Sequence, residues 1–100
     1  MFGFTDDFNQ DLSTWNTSNV TSMIYMFQGA QAFDKDIGDW DVSQCTQSIQ
    51  GLQAMFLNSS VFNQDLTDWC VDTWTSAPLN FNTNSALVSS NLPIWGTCPP

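Results

Sequence analysis

Hydrophobic residues return along the chain in one spaced pattern. A leucine or isoleucine is followed three residues later by tryptophan, and two residues after the tryptophan comes valine or threonine. The four copies begin at Leu12, Ile37, Leu66 and Leu92. A period of roughly 20 to 50 residues is typical of chains whose repeats stack on one another, because a single repeat cannot bury its own apolar face. The pattern therefore predicts a solenoid.

A second pattern precedes the first three copies. The octets FNQDLSTW, FDKDIGDW and FNQDLTDW begin at Phe8, Phe33 and Phe62. The second interval is the longer one and contains a four-residue insertion, enough for about one helical turn. These intervals divide one domain of residues 1–100 into a partial repeat (1–7), a first repeat (8–32), a second repeat (33–61), a third repeat (62–87) and a C-terminal cap (88–100).

Two kinds of secondary structure are predicted within each repeat. From Trp15 to Thr17, residues that favour strands occupy the first and third positions. This alternation favours a short strand whose Trp15 and Thr17 side chains point inward, and equivalent strands of successive repeats would pair in parallel. The following segment, TSNVTSMIYMF, favours a helix capped by Ser18 or Asn19, with Ser43 as the matching cap in the second repeat. The apolar stripe of that helix comprises Val20, Met23, Ile24 and Phe27. The predicted fold class is α/β: a short leucine-rich-repeat-like solenoid with parallel strands on one face and helices on the other.

The repeats resemble those of BspA-like leucine-rich repeat surface proteins. The resemblance extends over almost the whole chain and is carried by FNQDLSTWNTSNVTSMIYMFQGAQA, FDKDIGDWDVSQCTQS and the closing NFNTNSALVSSNLPIWGTCP. It implies a curved α/β solenoid within a cell-surface or secreted protein, with adhesion or protein binding as the usual role. It brings no catalytic residues with it.

The charge of the chain excludes several classes of function. All ten acidic residues are aspartate, Lys35 is the one basic residue, and the formal net charge is −9 without any histidine. Such a surface repels nucleic acid and anionic membranes, and no apolar run is long enough for a membrane-spanning helix. The usual general bases and activated nucleophiles are missing. We therefore expect no enzymatic activity, no cofactor, no nucleic-acid partner and no membrane insertion.

Some aspartates recur with the period of the repeats. Asp11, Asp36 and Asp65 share one position, and Asn9, Asp34 and Asn63 share another. Paired carboxylates are the machinery of glycoside hydrolysis. A residue that returns once per repeat more often serves the architecture, and we expect these side chains to accept backbone N–H groups at turns.

Four other aspartates are candidates for a partner-binding face. If the tryptophans face the core, the outward positions of the predicted sheet hold Asp39, Asp41, Asp68 and Asp72. Strands about 4.8 Å apart would crowd these charges, and a basic protein surface or a Ca²⁺ ion would relieve the repulsion. A solvated acidic face without a ligand is the alternative. Calcium is less favoured, since no D-x-D-x-D-G loop occurs, and a tryptophan ladder that binds carbohydrate is less favoured than one in the core.

The three cysteines are expected to have two roles. Cys45 occupies an apolar position and is predicted to be a buried free thiol. A disulfide between Cys70 and Cys98 would close a loop of about 28 residues and stabilise the fold by roughly 3 kcal/mol. It requires a shift of one or two residues in the register of the last repeat. Such a bond fits an extracellular or cell-surface setting, whereas two cysteines without histidine make a zinc site improbable.

The start of the chain predicts self-association. Met1, Phe2 and Phe4 stand where an inner repeat would continue from a previous one. An open end of this kind favours a homo-oligomer, either a two-fold dimer or an exchange of one repeat, unless the first residues fold back as a cap. The expected function is a non-enzymatic protein-interaction or adhesion module with an unknown protein ligand. The alternatives are a structural spacer and, with less support, a carbohydrate- or calcium-binding module.

Overall fold

The structure is a computed structural model that describes residues 7–99. Its regular elements are two 3₁₀ turns, Gln47–Ile49 and Ser89–Asn91. The rest of the described chain runs through successive turns and bends. The predicted open end at Met1, Phe2 and Phe4 lies outside the described residues.

The prediction of an α/β fold is wrong. Residues 7–99 contain neither an α-helix nor a β-strand, so there is no sheet and no helical face in the part of the chain that the structure describes. A leucine-rich-repeat-like solenoid of parallel strands and helices is therefore not the architecture. The repeats do stack in register, through contacts that involve turns rather than strands.

The Leu-x-x-Trp segments are turns, which is why the predicted strands do not form. The Trp15 N–H donates to the Leu12 carbonyl at 3.0 Å, and the same bond joins Trp40 to Ile37 and Trp69 to Leu66. A second turn follows two residues later, where the Val20 N–H donates to the Thr17 carbonyl at 3.0 Å. The chain thus bends on both sides of each tryptophan and leaves no extended segment long enough to pair as a strand.

The predicted helix is absent because its backbone bonds run between repeats. The N–H groups of Met23, Tyr25 and Phe27 donate to carbonyls of the second repeat at 2.7 to 3.2 Å. An α-helix would direct the same groups four residues back. The segment also contains a left-handed residue, Tyr25 with φ of 58°, and Gly29 just after it has φ of 65°; such residues interrupt a helix. Ser18 caps no helix here; its N–H donates to the Asn16 side chain.

A ladder of backbone hydrogen bonds sets the register between repeats. The first repeat donates to the second, as from Phe27 to Met55, and the second donates to the third, as from Phe56 to Phe81. The left-handed conformation recurs at matching positions, in the pairs Tyr25 and Gly29, Ala54 and Asn58, and Asn80 and Asn84. The repeats therefore share one backbone conformation at these two positions.

Side chains of the octets form a second ladder. The Asn9 Oδ1 accepts the Asp34 N–H at 2.9 Å, the Asp34 Oδ1 accepts the Asn63 N–H at 3.0 Å, and the Asn63 Oδ1 accepts the Val88 N–H at 3.1 Å. These side chains satisfy backbone donors of the following repeat, since no sheet is present in residues 7–99 to do so. This hydrogen bond to the next repeat explains why Asn or Asp recurs at this position.

Aromatic rings fill the space between repeats. Phe33 lies between Phe8 and Phe62, with ring centroids 5.8 and 5.7 Å away, and Phe27 stacks on Phe56 at 5.6 Å. Of the four tryptophans predicted to face inward, Trp40 and Trp69 are buried. Trp95 is half-buried and packs against the core, whereas Trp15 is 47% exposed, so the prediction fails for the first copy.

The buried tryptophans also bond across repeats. The indole N–H of Trp40 donates to the Leu12 carbonyl, and that of Trp69 donates to the Ile37 carbonyl, both at 3.0 Å. Each of these carbonyls also accepts the backbone N–H of its own turn. In the first and second repeats, the Leu-x-x-Trp turn thus contains a carbonyl that accepts the indole N–H of the next repeat. In the second and third repeats it also contains an indole N–H that donates to the previous repeat.

Replacement of Gly51 by alanine is expected to destabilise the protein by about 1–3 kcal/mol. A Cβ at this position would lie 2.7 Å from the Cys45 Cα and 2.7 Å from the Thr21 carbonyl oxygen, and backbone atoms cannot move aside as a side-chain end can. Urea unfolding measures the change. Ser48→Ala, at an exposed position nearby, serves as the control, and equal stability of the two variants would contradict the close backbone contacts at Gly51.

Candidate functional site

The four aspartates proposed as a binding face are all exposed. Asp39 and Asp68 each precede a buried tryptophan, in turns that occupy equivalent positions of the second and third repeats. These two turns pack directly on each other, since a Cβ at Gly38 would lie 2.8 Å from the Asp65 carbonyl oxygen. Asp41 and Asp72 are exposed on the segments that follow. The acidic face, defined as Asp39, Asp41, Asp68 and Asp72, is therefore carried by turns and not by the predicted sheet.

Asp41 differs from Asp39 and Asp68 because its carboxylate accepts hydrogen bonds within a turn. Its Oδ1 accepts both the Ser43 hydroxyl at 2.6 Å and the Ser43 N–H at 2.9 Å, and these bonds lower the pKa of its carboxyl from the ordinary 3.8. Asn16 makes the same two bonds to Ser18 in the first repeat. An amide therefore performs the structural task as well as a carboxylate does, and the charge of Asp41 is available to a partner.

The recurring aspartates occupy turns in the same way. Asp65 accepts the hydroxyl and the N–H of Thr67, which lower its pKa, and Asp36 accepts the Gly38 N–H at 2.8 Å. Asp11 accepts the Ser13 N–H at 2.9 Å. The structure agrees with the turn-capping role expected of these three residues.

Replacement of Asp41 by alanine is expected to lower the free energy of unfolding by at most about 1 kcal/mol, because the bonds lie in solvent. Asp41→Asn, the matched control, keeps the turn, as Asn16 does. The pKa of Asp41 is lowered in the folded protein, so its contribution is fully present above about pH 4 and is lost as the pH falls through the folded pKa. Urea unfolding at pH 7 and in acid checks this; a difference between wild type and Asp41→Ala that persists at low pH contradicts it.

Cys70 and Cys98 form a disulfide, which attaches the C-terminal cap to the third repeat. The expected register shift is present: the Leu66 N–H donates to the Asn91 carbonyl, but the Val71 N–H donates to the Thr97 carbonyl, so the second bond spans one residue more. The Asp72 carboxylate lies beside the disulfide, 3.7 Å from the Cys70 sulfur. The two sulfurs and a carboxylate oxygen of Asp72 lie within 4.8 Å of one another, close enough to be considered as ligands of one metal ion. Disulfide sulfurs are not thiolates, so with the bond formed this group offers a cation one carboxylate.

Cys45 is a buried free thiol, as predicted. Its sulfur donates to the Val20 carbonyl of the first repeat at 3.3 Å. Burial, with a smaller effect from the charge of Asp41, raises the pKa of the thiol to about 11. Thiolate is the reactive form of cysteine, so Cys45 is inert at neutral pH and serves packing.

The four-residue insertion builds a cavity that the sequence analysis missed. A cavity of about 580 Å³ opens beside the 3₁₀ turn Gln47–Ile49. It is lined by Thr46, Gln47, Ser48, Gln50 and Thr73. The signal was present as the run CTQSIQG, which is rich in hydroxyl and amide side chains and interrupts the regular repeat.

Comparison with known proteins identifies the family. A family model described as "Mycoplasma protein of unknown function, DUF285" matches residues 1–95. The chain belongs to the DUF285 family. No curated protein and no solved structure matches this DUF285 chain. Among its described residues, no helix has the length and apolar character needed to cross a membrane.

Proposed function

We propose that this DUF285 chain is a non-enzymatic protein-interaction or adhesion module of the cell-surface type. The observation that carries the proposal is the acidic face, whose four carboxylates are exposed on packed turns of adjacent repeats. The partner is a protein with a basic surface. Opposite charges speed the encounter between two proteins and disfavour partners of the wrong sign.

The turns supply a rigid base for such a face. Buried Trp40 and Trp69 lie directly after Asp39 and Asp68, and their indoles are hydrogen bonded to the previous repeat. The binding positions are therefore fixed before a partner arrives, which reduces the entropy that binding must overcome. The sequence resemblance to BspA-like surface proteins and the Cys70–Cys98 disulfide support a cell-surface setting.

Two charge-matched variants test the proposal. In the first, Asp39, Asp41, Asp68 and Asp72 are replaced by asparagine; in the second, the exposed aspartates Asp7, Asp11, Asp36 and Asp65 are replaced instead. Both remove four of the ten acidic charges. Asn16 makes the same turn bonds as Asp41, and the bonds of the other capping aspartates are of the same kind, so both variants are expected to fold.

The probe is a lysine-rich decapeptide, titrated at low ionic strength into ¹⁵N-labelled protein. The proposal predicts amide shifts centred on residues 39–41 and 68–72, and an affinity that falls about tenfold more in the first variant than in the second. An equal loss in both variants would show a general effect of charge. That result would favour a structural spacer with a solvated acidic surface.

The predicted self-association of the chain is kept as a further proposal. Sedimentation at micromolar concentration tests it, and a monomer at all concentrations counts against it.

A further inference from the structure

The cavity beside the insertion has a chemistry different from the rest of the surface. Its lining residues are threonine, serine and glutamine, and none of them is charged. The chain as a whole has a net charge of −9. A cavity lined by uncharged hydroxyl and amide residues on a strongly acidic protein is suited to a ligand that hydrogen bonds without carrying charge.

The lining spans two repeats and is held by several hydrogen bonds. The Gln47 N–H donates to the Thr73 hydroxyl at 3.3 Å, and the Gln47 Oε1 accepts the Thr75 N–H at 2.6 Å. Both bonds link the insertion in the second repeat to the third. Gln50, left-handed with φ of 55°, turns the chain back, and its Nε2 donates to the Gln47 carbonyl at 3.0 Å.

These bonds determine which groups a ligand would meet. With its Oε1 engaged, Gln47 presents its amide N–H₂ as a donor, and with its Nε2 engaged, Gln50 presents its Oε1 as an acceptor. The Thr73 oxygen accepts a bond and its O–H remains a donor. Thr46 and Ser48 bond to each other and add two hydroxyls. The lining thus offers both donors and acceptors, from two glutamine amides and three hydroxyls.

We propose that this cavity binds a neutral saccharide. Neighbouring hydroxyls of a sugar each donate and accept, and they match carboxamide and hydroxyl groups held in fixed positions. The volume of about 580 Å³ is in the range typical of small-molecule sites. Acidic sugars and phosphates are disfavoured, because the lining has no cation and the net charge repels anions. None of the four aspartates of the acidic face lines this cavity, and the proposal does not depend on the proposed protein partner.

The test uses a panel of neutral disaccharides (maltose, cellobiose and lactose) with glucuronic acid as the acidic comparison. Each is titrated to about 10 mM into ¹⁵N-labelled protein, so that binding with a Kd in the millimolar range is detected. We expect at least one neutral disaccharide to shift the amides of residues 46–50 and 73, and glucuronic acid to leave them unchanged. Absence of any saturable shift at these residues overturns the proposal without requiring a variant.

Paired variants give the second readout. Gln50→Met and Thr73→Val keep the side-chain shape and remove an acceptor and a hydroxyl, and together they are expected to weaken binding at least tenfold. Gln10→Met and Thr14→Val make the same exchanges at exposed positions outside the cavity lining and serve as the control. Equal affinity in the two double variants, with both folded by their amide spectra, would place binding elsewhere and overturn the assignment.

Discussion

Replacement of Trp69 by alanine is expected to lower the free energy of unfolding by about 3–5 kcal/mol. Trp69 is fully buried, lies against Phe56 and Phe81, and donates its indole N–H to the Ile37 carbonyl. The substitution leaves a cavity at the junction of the second and third repeats. Since small domains have only about 5–15 kcal/mol in total, a large part of the stability would be lost.

Two further variants separate the causes. Trp69→Phe keeps an aromatic ring but removes the indole bond, and the Ile37 carbonyl still accepts the Trp40 N–H. Its cost is therefore expected to be about 1–2 kcal/mol. Trp15→Ala makes the same tryptophan-to-alanine change at the equivalent, half-exposed position of the first repeat. It is expected to lower the free energy of unfolding by less than half as much as Trp69→Ala. Urea unfolding followed by the remaining tryptophans measures all three, and similar midpoints for Trp15→Ala and Trp69→Ala would contradict the core assignment.

Removal of the disulfide is expected to cost about 3 kcal/mol, since the bond joins cysteines with a sequence separation of 28. For a chain of this size the melting temperature would fall by more than about 10 °C. The loss is expected to concentrate at the C-terminal cap, where the Val71 and Gly96 amides make the last bonds between repeats. Hydrogen exchange at these amides should accelerate before exchange at Phe27 and Phe56.

The comparison is between wild type and Cys70→Ser/Cys98→Ser, each with and without reductant. Reductant should lower the melting temperature of the wild type toward that of the variant and leave the variant unchanged. Cys45 is common to both proteins, so any effect on its thiol cancels. If the two proteins melt together under oxidising conditions, the bond contributes nothing to the fold.

The octets allowed much of the packing to be predicted. Phe33, Ile37 and Trp40 repeat with the period of the chain, and their burial follows from that period alone. The turn role of Asp36 followed from its type and recurrence. The exposure of the acidic face followed from its place beside the tryptophans. Burial, turn role and exposure depend here on the spacing of residues within one repeat, so they can be predicted from the sequence.

The secondary structure could not be obtained in the same way. Met23 and Phe27 are buried and four residues apart, a spacing that fits a helix and also fits a chain of turns with every fourth side chain inward. The difference lies in the N–H groups, whose acceptors belong to the next repeat. Gly29 and Asn58 are residue types that adopt positive φ readily, but Tyr25 and Ala54 give no such signal. Contacts with the next repeat therefore override local propensity.

The cavity was missed for a related reason. Its lining residues are polar side chains of a kind common throughout the chain, and only the bonds from Gln47 to Thr73 and Thr75 assemble them. The insertion was visible in the sequence as extra length. The direction in which its side chains face depends on the third repeat.

The direction of the backbone ladder has a consequence for how such chains change in length. Along the ladder from Met23 to Asn58, each repeat donates its N–H groups to the repeat that follows, so the two sides of a repeat are complementary. A duplicated copy inserted between two existing repeats would meet carbonyl acceptors on one side and N–H donors on the other. A gain or loss of one whole repeat would therefore keep donors opposite acceptors at the new junction. The ladder thus accommodates a change in the number of whole repeats, whereas extra residues inside a repeat, such as those around Gln47, need contacts of their own.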